Sequence, residues 1–161
     1  MPEPERPSPK RLLVVFHSRS GGTQAMTDAV GAGANDDAIE GVEVRVQRAF
    51  DTTVEDVRAC NGIIIGTPEN FGYMSGAIKD LFERIYYPLL DETPGLPYGL
   101  FVKASTDGDG AVQSVERIVA GLRWKLVVPP IVVVGDIAAN DLEHCQELGA
   151  TLAAGLEAGM F

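Results

Sequence analysis

Several features are scarce in this sequence of 161 residues, and each scarcity narrows the possible functions. It contains only two cysteines, Cys60 and Cys145, without C-x-x-C spacing, so we expect free thiols in a reducing compartment. No apolar run approaches the roughly 20 residues that a membrane-spanning helix needs, and no apolar segment typical of a signal peptide follows Met1. We therefore predict a cytoplasmic protein without a membrane partner.

Positive charge is also in short supply. Lysine and arginine together number 13 against 23 aspartates and glutamates, which gives a formal net charge of −10. Such an excess of negative charge repels the phosphates of nucleic acids and of anionic membranes. The sequence thus predicts no nucleic-acid partner, and its charge would suit either a partner with a basic face or simple solubility.

The remaining composition is that of one globular domain. Hydrophobic residues make up 45% and charged residues 22%, both ordinary for a protein with a buried core. Residues 1–10 contain four prolines among alternating charges and cannot pack well, so we predict a disordered tail there. A single domain is then expected over residues 11–161.

The pattern of apolar segments predicts five strands that alternate with five helices. Residues 12–16 and 62–66 are continuously apolar, as in central strands of a parallel sheet, whereas residues 42–46 alternate like an edge strand. We predict an α/β fold, a doubly wound five-stranded parallel sheet of order 2-1-3-4-5 with helices on both faces. The other predicted elements are helices over 23–32, 54–60, 75–87, 112–122 and 142–156, and strands over 98–104 and 126–134. Pro88 is expected to end the third helix, and Pro129-Pro130 to interrupt the last strand.

A turn rich in hydroxyl groups and glycine follows the first predicted strand. The unpaired N–H groups at the start of the next helix favour an anion there, and the small residues let it approach closely. The loop has neither the lysine of a P-loop nor the G-x-G-x-x-G spacing of a dinucleotide site. A phosphate site or an ordinary serine-capped turn would both fit. The candidate phosphate-binding residues are Ser18, Arg19, Ser20, Gly21, Gly22 and Thr23.

Two segments carry a resemblance to a known family. Ser18-x-Ser20-Gly21-x-Thr23 resembles the T-x-T-G-x-T loop with which flavodoxin-like proteins hold the 5′-phosphate of FMN. Residues 66–76 resemble the G-[ST]-P-x-x-[FY]-G-x-M-[SP] turn of FMN-dependent NAD(P)H:quinone and FMN reductases in the same superfamily, and the likeness continues through residues 79–82 and 145–153. The resemblance implies a flavodoxin-like FMN-binding domain. In the second loop it implies cofactor contacts from Pro68, Glu69, Asn70, Phe71 and Gly72.

The third loop matches this family only in part. Its Ser-Thr start agrees, but Asp109-Gly110 stands where a histidine often precedes a glycine pair. Asp107 and Asp109 do not complete a calcium-binding pattern, so we interpret them as turn residues and predict no metal site. The resemblance implies that the site is completed by Ser105, Thr106, Asp107, Gly108, Asp109 and Gly110.

The second loop departs from the family at one position. Asn70 stands where the quinone reductases carry a basic residue. The negative charge on a reduced flavin ring would therefore be stabilised less than in those enzymes. In electron carriers a glycine in this turn permits a peptide flip. Here Asn70-Phe71 precedes Gly72, so such a flip would carry a bulky residue through disfavoured backbone angles.

The resemblance implies two alternative functions. One is an enzyme that transfers electrons from NAD(P)H through FMN to a quinone, a flavin or another small acceptor. The other is a flavodoxin-type carrier that docks on protein redox partners, which the acidic charge favours. The absence of aromatic residues from residues 105–110 favours the enzyme, because one ring face then stays open to a hydride donor.

Catalysis and assembly are less defined by the sequence. No catalytic residue is predicted, and His17 is given no role. The resemblance implies a homodimer or tetramer. Two adjacent tyrosines, Tyr86 and Tyr87, are followed by Pro88-Leu89-Leu90, and we expect this segment to expose more apolar area than the surface of a monomer keeps. Together with the loop over residues 91–97 it forms the predicted interface.

Overall fold

A computed structural model describes residues 2–4 and 7–161 of the chain. The tail predicted over residues 1–10 includes Met1, Glu5 and Arg6, which lie outside the described residues. Lys10 already belongs to the first strand.

Strands and helices alternate along the chain. The strands are β1 (Lys10–Phe16), β2 (Val42–Arg48), β3 (Gly62–Pro68), β4 (Pro97–Ala104), β5 (Lys125–Leu126) and β6 (Ile131–Val134). The helices are α1 (Gly22–Ala34), α2 (Val54–Ala59), α3 (Gly76–Leu89), α4 (Asp109–Leu122) and α5 (Ala139–Glu157), and a short 3₁₀ helix covers Ala49–Asp51.

The strands form one parallel sheet in the order β2-β1-β3-β4-β5, which confirms the predicted topology and the edge position of β2. The last predicted strand is divided: β5 pairs with the start of β4, and β6 pairs with its end. Pro129 and Pro130 lie between the two pieces. Proline has no N–H group to donate to a neighbouring strand, so pairing stops there and resumes at Ile131.

Helices cover both faces of the sheet and bury two apolar clusters. One cluster lies under α3 and α4, and Ile78, Leu81, Phe82 and Ile85 form the buried face predicted for α3. The other lies under α1 and α5. Trp124 is buried at the edge of the first cluster, where its indole N–H donates to the Thr93 hydroxyl at 2.9 Å.

The end of α3 differs from the prediction. Pro88 was expected to end the helix, but it lies inside the last turn, and α3 continues to Leu89. A proline so close to the end removes only one backbone hydrogen bond, which the helix tolerates. The prediction that Leu89 adds to an exposed apolar surface is also wrong, because its side chain is fully buried in the core.

This topology brings three loops together. β1, β3 and β4 are neighbours in the sheet, so the segments that follow them emerge side by side at its carboxyl edge. These segments are the candidate site loops of the sequence analysis. Within the described part of the chain, no helix is both long and apolar enough to cross a membrane.

Candidate functional site

The first loop joins β1 to α1 and shapes the start of that helix. The His17 N–H donates to the carbonyl of Gly66 at 3.1 Å, which continues the sheet pairing by one residue. Gly21 then takes a left-handed conformation at φ 95° as the residue that caps α1. The Ser18 hydroxyl accepts the N–H of Gln24 at 3.1 Å, so this side chain serves the helix start directly.

No acidic residue in the first turn of α1 offsets the positive end of the helix dipole. The N–H groups of Gly22 and Thr23 donate to no other group of the described chain. Ser20 and Arg19 are exposed at the rim, whereas the Thr23 side chain is buried. The loop therefore offers an anion two backbone donors and an exposed hydroxyl.

The second loop is a two-residue turn. Asn70 and Tyr73 pair through both of their backbone hydrogen bonds, at 2.9 and 3.0 Å. Between them Phe71 has φ 55° and Gly72 has φ 66°, the pattern of a type I′ turn. Phe71 thus already occupies the left-handed region that a bulky side chain disfavours. The pairing of its neighbours holds it there, with its side chain fully exposed.

The base of this turn is anchored in the core. The Met74 N–H donates to the hydroxyl of the buried Ser114 on α4 at 3.0 Å. The next N–H, that of Ser75, donates to the Thr67 hydroxyl at 3.0 Å, and the Ser75 hydroxyl caps α3. The residues that follow the exposed tip at residues 71–72 are thus held in place by hydrogen bonds.

Glu69 connects the second loop to the third. Its side chain is only 5% exposed, and both carboxylate oxygens accept hydrogen bonds from residues that follow β4. Oε2 accepts the N–H of Gly108 at 2.9 Å. Oε1 accepts from both the N–H and the hydroxyl of Ser105, at 3.2 and 3.4 Å, and from both the N–H and the hydroxyl of Thr106, at 2.8 and 2.7 Å.

These donors keep Glu69 ionised. The N–H of Thr106 makes the largest contribution to lowering the pKa of the Glu69 carboxyl below its ordinary value. Loss of hydration acts in the opposite direction, but the further donors from Thr106, Gly108 and Ser105 outweigh it. Both carboxylate oxygens are therefore committed to the third loop rather than directed at a ligand.

The third loop is compact and touches the second. Asp107 accepts the N–H of Asp109 at 3.0 Å in a local turn, as the sequence predicted. Gly108 has φ 77° and precedes the first residue of α4. A Cβ on Gly110 would lie only 1.9 Å from the Gly72 carbonyl oxygen, so the two backbones pack directly against each other. Only glycine fits at position 110.

Two residues near these loops were not predicted from the sequence. Lys103 lies near the end of β4, half-buried, with its side chain across Gly22 of the first loop. A lysine in an otherwise apolar central strand was the available signal. Phe50 is 66% exposed beside the first loop and meets His17 edge to face, with ring centroids 6.3 Å apart. No sequence pattern marks Phe50.

The two cysteines do not take part in this site. Both are unpaired thiols, as predicted. Burial raises the pKa of Cys60 to about 12 and that of Cys145 to about 11, so both remain protonated and unreactive at neutral pH.

Comparisons with known proteins identify similar folds and a family. The archaeal flavodoxin structure superposes with a TM-score of 0.78 and 21% identity, covering 92% of this chain and 99% of that one, and so supports the fold alone. A flavodoxin of Aquifex aeolicus is 34% identical over 85 residues, which are 53% of this chain and 45% of the relative. A probable NAD(P)H dehydrogenase (quinone) of Arabidopsis thaliana, FQR1-like 2, is 26% identical over 64% of this chain and 45% of the relative.

The matches to these two relatives therefore span less than half the length of each. A family model described as NADPH-dependent FMN reductase matches residues 34–139, which is more than half of this chain and includes the second and third loops. Because this model matches more than half of the chain, the chain belongs to the NADPH-dependent FMN reductase family.

Proposed function

We propose that the chain binds FMN at the carboxyl edge of its sheet and passes electrons from NAD(P)H through it to a quinone, a flavin or another small acceptor. The observation that carries the proposal is the convergence of the three loops. The start of α1, whose positive dipole end faces no acidic residue, lies beside the second and third loops, which Glu69 joins by hydrogen bonds into one wall. Family membership and the quinone dehydrogenase relative support the same chemistry.

The residues present fit FMN. The N–H groups of Gly22 and Thr23 and the hydroxyl of Ser20 would hold its phosphate. The turn at residues 70–73 and the loop at residues 105–108 would border its ring. Bound FMN would supply the hydride and electron chemistry, while the chain binds it, orients it and limits access to it.

An enzyme fits better than a carrier because of the third loop. Residues 105–110 contain no aromatic side chain, so this loop cannot cover a flavin face by stacking. An open face admits a nicotinamide to within the roughly 3–3.5 Å that direct hydride transfer requires. A flavodoxin-type carrier remains the second candidate, and the Aquifex aeolicus relative and the acidic net charge of −10 support it.

The proposed function is tested first by binding. We expect FMN to bind one to one at micromolar concentration, with quenching of its fluorescence. The FMN-loaded protein should then be mixed anaerobically with NADPH and with NADH. An enzyme is reduced within seconds by at least one nucleotide and reoxidised by a quinone. Binding without reduction would support the carrier, and the absence of FMN binding would refute both candidates.

A further inference from the structure

We propose that Lys103 supplies the positive charge for the phosphate group held at the start of α1. This inference rests on the proposed function, because it assumes a ligand whose phosphate lies at the first loop. The lysine comes from a different strand than the loop it serves, since β4 and β1 are separated in the sheet by β3.

The position of Lys103 is defined by its contact with Gly22. A Cβ at Gly22 would lie 3.2 Å from Cγ, 3.3 Å from Cε and 3.5 Å from Cδ of the lysine. The aliphatic part of Lys103 therefore runs across the first residue of α1. The absence of a side chain at Gly22 leaves room for it, and the ammonium group is carried to the same edge as the first loop.

The charges around Lys103 leave it without an anionic partner. Its Nζ lies 3.5 Å from the carbonyl oxygen of Ala104, and no carboxylate lies within 4 Å of it among the residues that the structure describes. Glu69, on the neighbouring strand end, has both oxygens committed to the third loop. Nothing in the described chain therefore neutralises the ammonium group.

The same region contains the positive end of α1. A cation beside a helix N-terminus is unfavourable because two positive potentials are brought together. An anion that touches both converts this repulsion into attraction, and a compact ammonium group suits a phosphate dianion. Arg19 also lies in the first loop, but it is exposed, so solvent and salt screen its charge more strongly than that of the half-buried lysine.

The role predicts which part of the ligand Lys103 recognises. FMN carries a phosphate and riboflavin does not, although both carry the same ring and ribityl chain. A neutral variant, Lys103→Met, should lose about tenfold or more in FMN affinity, whereas its riboflavin affinity should change by less than about twofold. Lys103→Arg keeps a cation and should retain most of the preference for FMN over riboflavin.

The control is Lys125→Met, which removes the same charge from an exposed residue of β5 paired with the opposite end of β4. All variants are titrated with FMN and riboflavin at low and high salt, after thermal melting confirms that they fold. If Lys103→Met does not fold, Lys103→Gln is the second neutral variant. The difference in affinity between FMN and riboflavin should become smaller with added salt in the wild type, and should change much less in the neutral variant.

The outcomes separate the two proposals. A wild type that binds neither ligand refutes the proposed function itself. If the wild type binds FMN and Lys103→Met behaves like Lys125→Met, the function stands and the role of Lys103 is overturned. Equal losses of FMN and riboflavin would also overturn it, because they would place the lysine at the ring or in packing rather than at the phosphate.

Discussion

At the scale of single residues, Glu69 organises the second and third loops with one side chain. Backbone N–H groups that cluster in a loop are an anion-binding feature. Here three such N–H groups, from Ser105, Thr106 and Gly108, receive a carboxylate of the chain itself. The loop thus takes its shape from a covalently attached anion, and we infer that this wall of the site is formed before any ligand binds.

Replacing Glu69 by glutamine tests this role. The amide oxygen can still accept from Thr106, but the amide nitrogen would face the N–H of Gly108, a donor against a donor. We expect the free energy of unfolding at neutral pH to fall by about 1–3 kcal/mol in urea denaturation. The matched control, Glu147→Gln on the exposed side of α5, should stay within about 0.5 kcal/mol of the wild type.

The stability difference between the wild type and Glu69→Gln is also expected to depend on pH. The pKa of Glu69 is lowered in the folded state from an ordinary value of 4.5. Its stabilising contribution is therefore complete above about 4.5 and is lost as the pH falls through the lower folded pKa. We expect the stability difference between wild type and Glu69→Gln to shrink as the pH falls below 4.5. Parallel stability curves across this window would contradict the role assigned to the carboxylate.

At the scale of elements, the crossing of α1 and α5 sets the position of the first loop. The two helices approach closely through glycines. A Cβ on Gly33 would lie 1.9 Å from the Gln146 carbonyl oxygen, and a Cβ on Gly149 would lie 2.0 Å from that of Val30. Because α1 begins at the candidate phosphate site, this helix contact also positions the N–H groups of Gly22 and Thr23.

Gly149→Ala tests this contact against helix propensity. Inside a helix, alanine is favoured over glycine by about 1 kcal/mol. The clash with a backbone oxygen should exceed that gain and destabilise the protein by about 1–3 kcal/mol net, measured by thermal and urea denaturation. The control is Gly76→Ala at the start of α3, where a Cβ would meet nothing within 4 Å. A stabilised Gly149→Ala variant would show that the helices can separate easily.

At the scale of the whole molecule, one face carries an exposed aromatic residue beside a groove between two helices. Tyr87 on α3 is 81% exposed and meets Tyr86 edge to face, with ring centroids 5.3 Å apart. Beside them α3 and α4 border an open groove of about 510 Å³, whose lining combines these tyrosines, Phe82 and Ile118 with the charged Lys79, Glu83 and Arg117. Aromatic side chains of this kind are enriched at protein interfaces.

We therefore predict a homodimer through this face, although a tetramer would also use it. Light scattering at micromolar concentration should give at least twice the mass of a single chain, and Tyr87→Glu should reduce it to one chain. Met160→Glu adds the same charge at another exposed apolar residue and should leave the assembly unchanged. A wild type with the mass of one chain would refute the dimer, and a dimer that survives Tyr87→Glu would place the interface elsewhere.

Much of this architecture could be predicted from local sequence patterns. Residues 12–16 and 62–66 were recognisable as central strands because a strand buried on both faces must be apolar throughout. A threonine was recognisable as the cap of α2, although Thr52 and Thr53 were both candidates; the hydroxyl of Thr53 accepts the N–H of Asp56. The loops of the site could be located because each directly follows such a strand. These features depend on neighbouring residues along the chain.

The contacts inside the site depend on residues far apart along the chain. Glu69 meets its donors 36 to 39 residues away because β3 and β4 pair with Pro68 opposite Lys103. The same register brings Lys103 to the edge where it crosses Gly22. Phe71 takes its left-handed conformation because Asn70 and Tyr73 pair around it. The spacing of residues along the sequence does not specify strand register or the packing between distant segments. These contacts therefore form only when the sheet and its helices assemble.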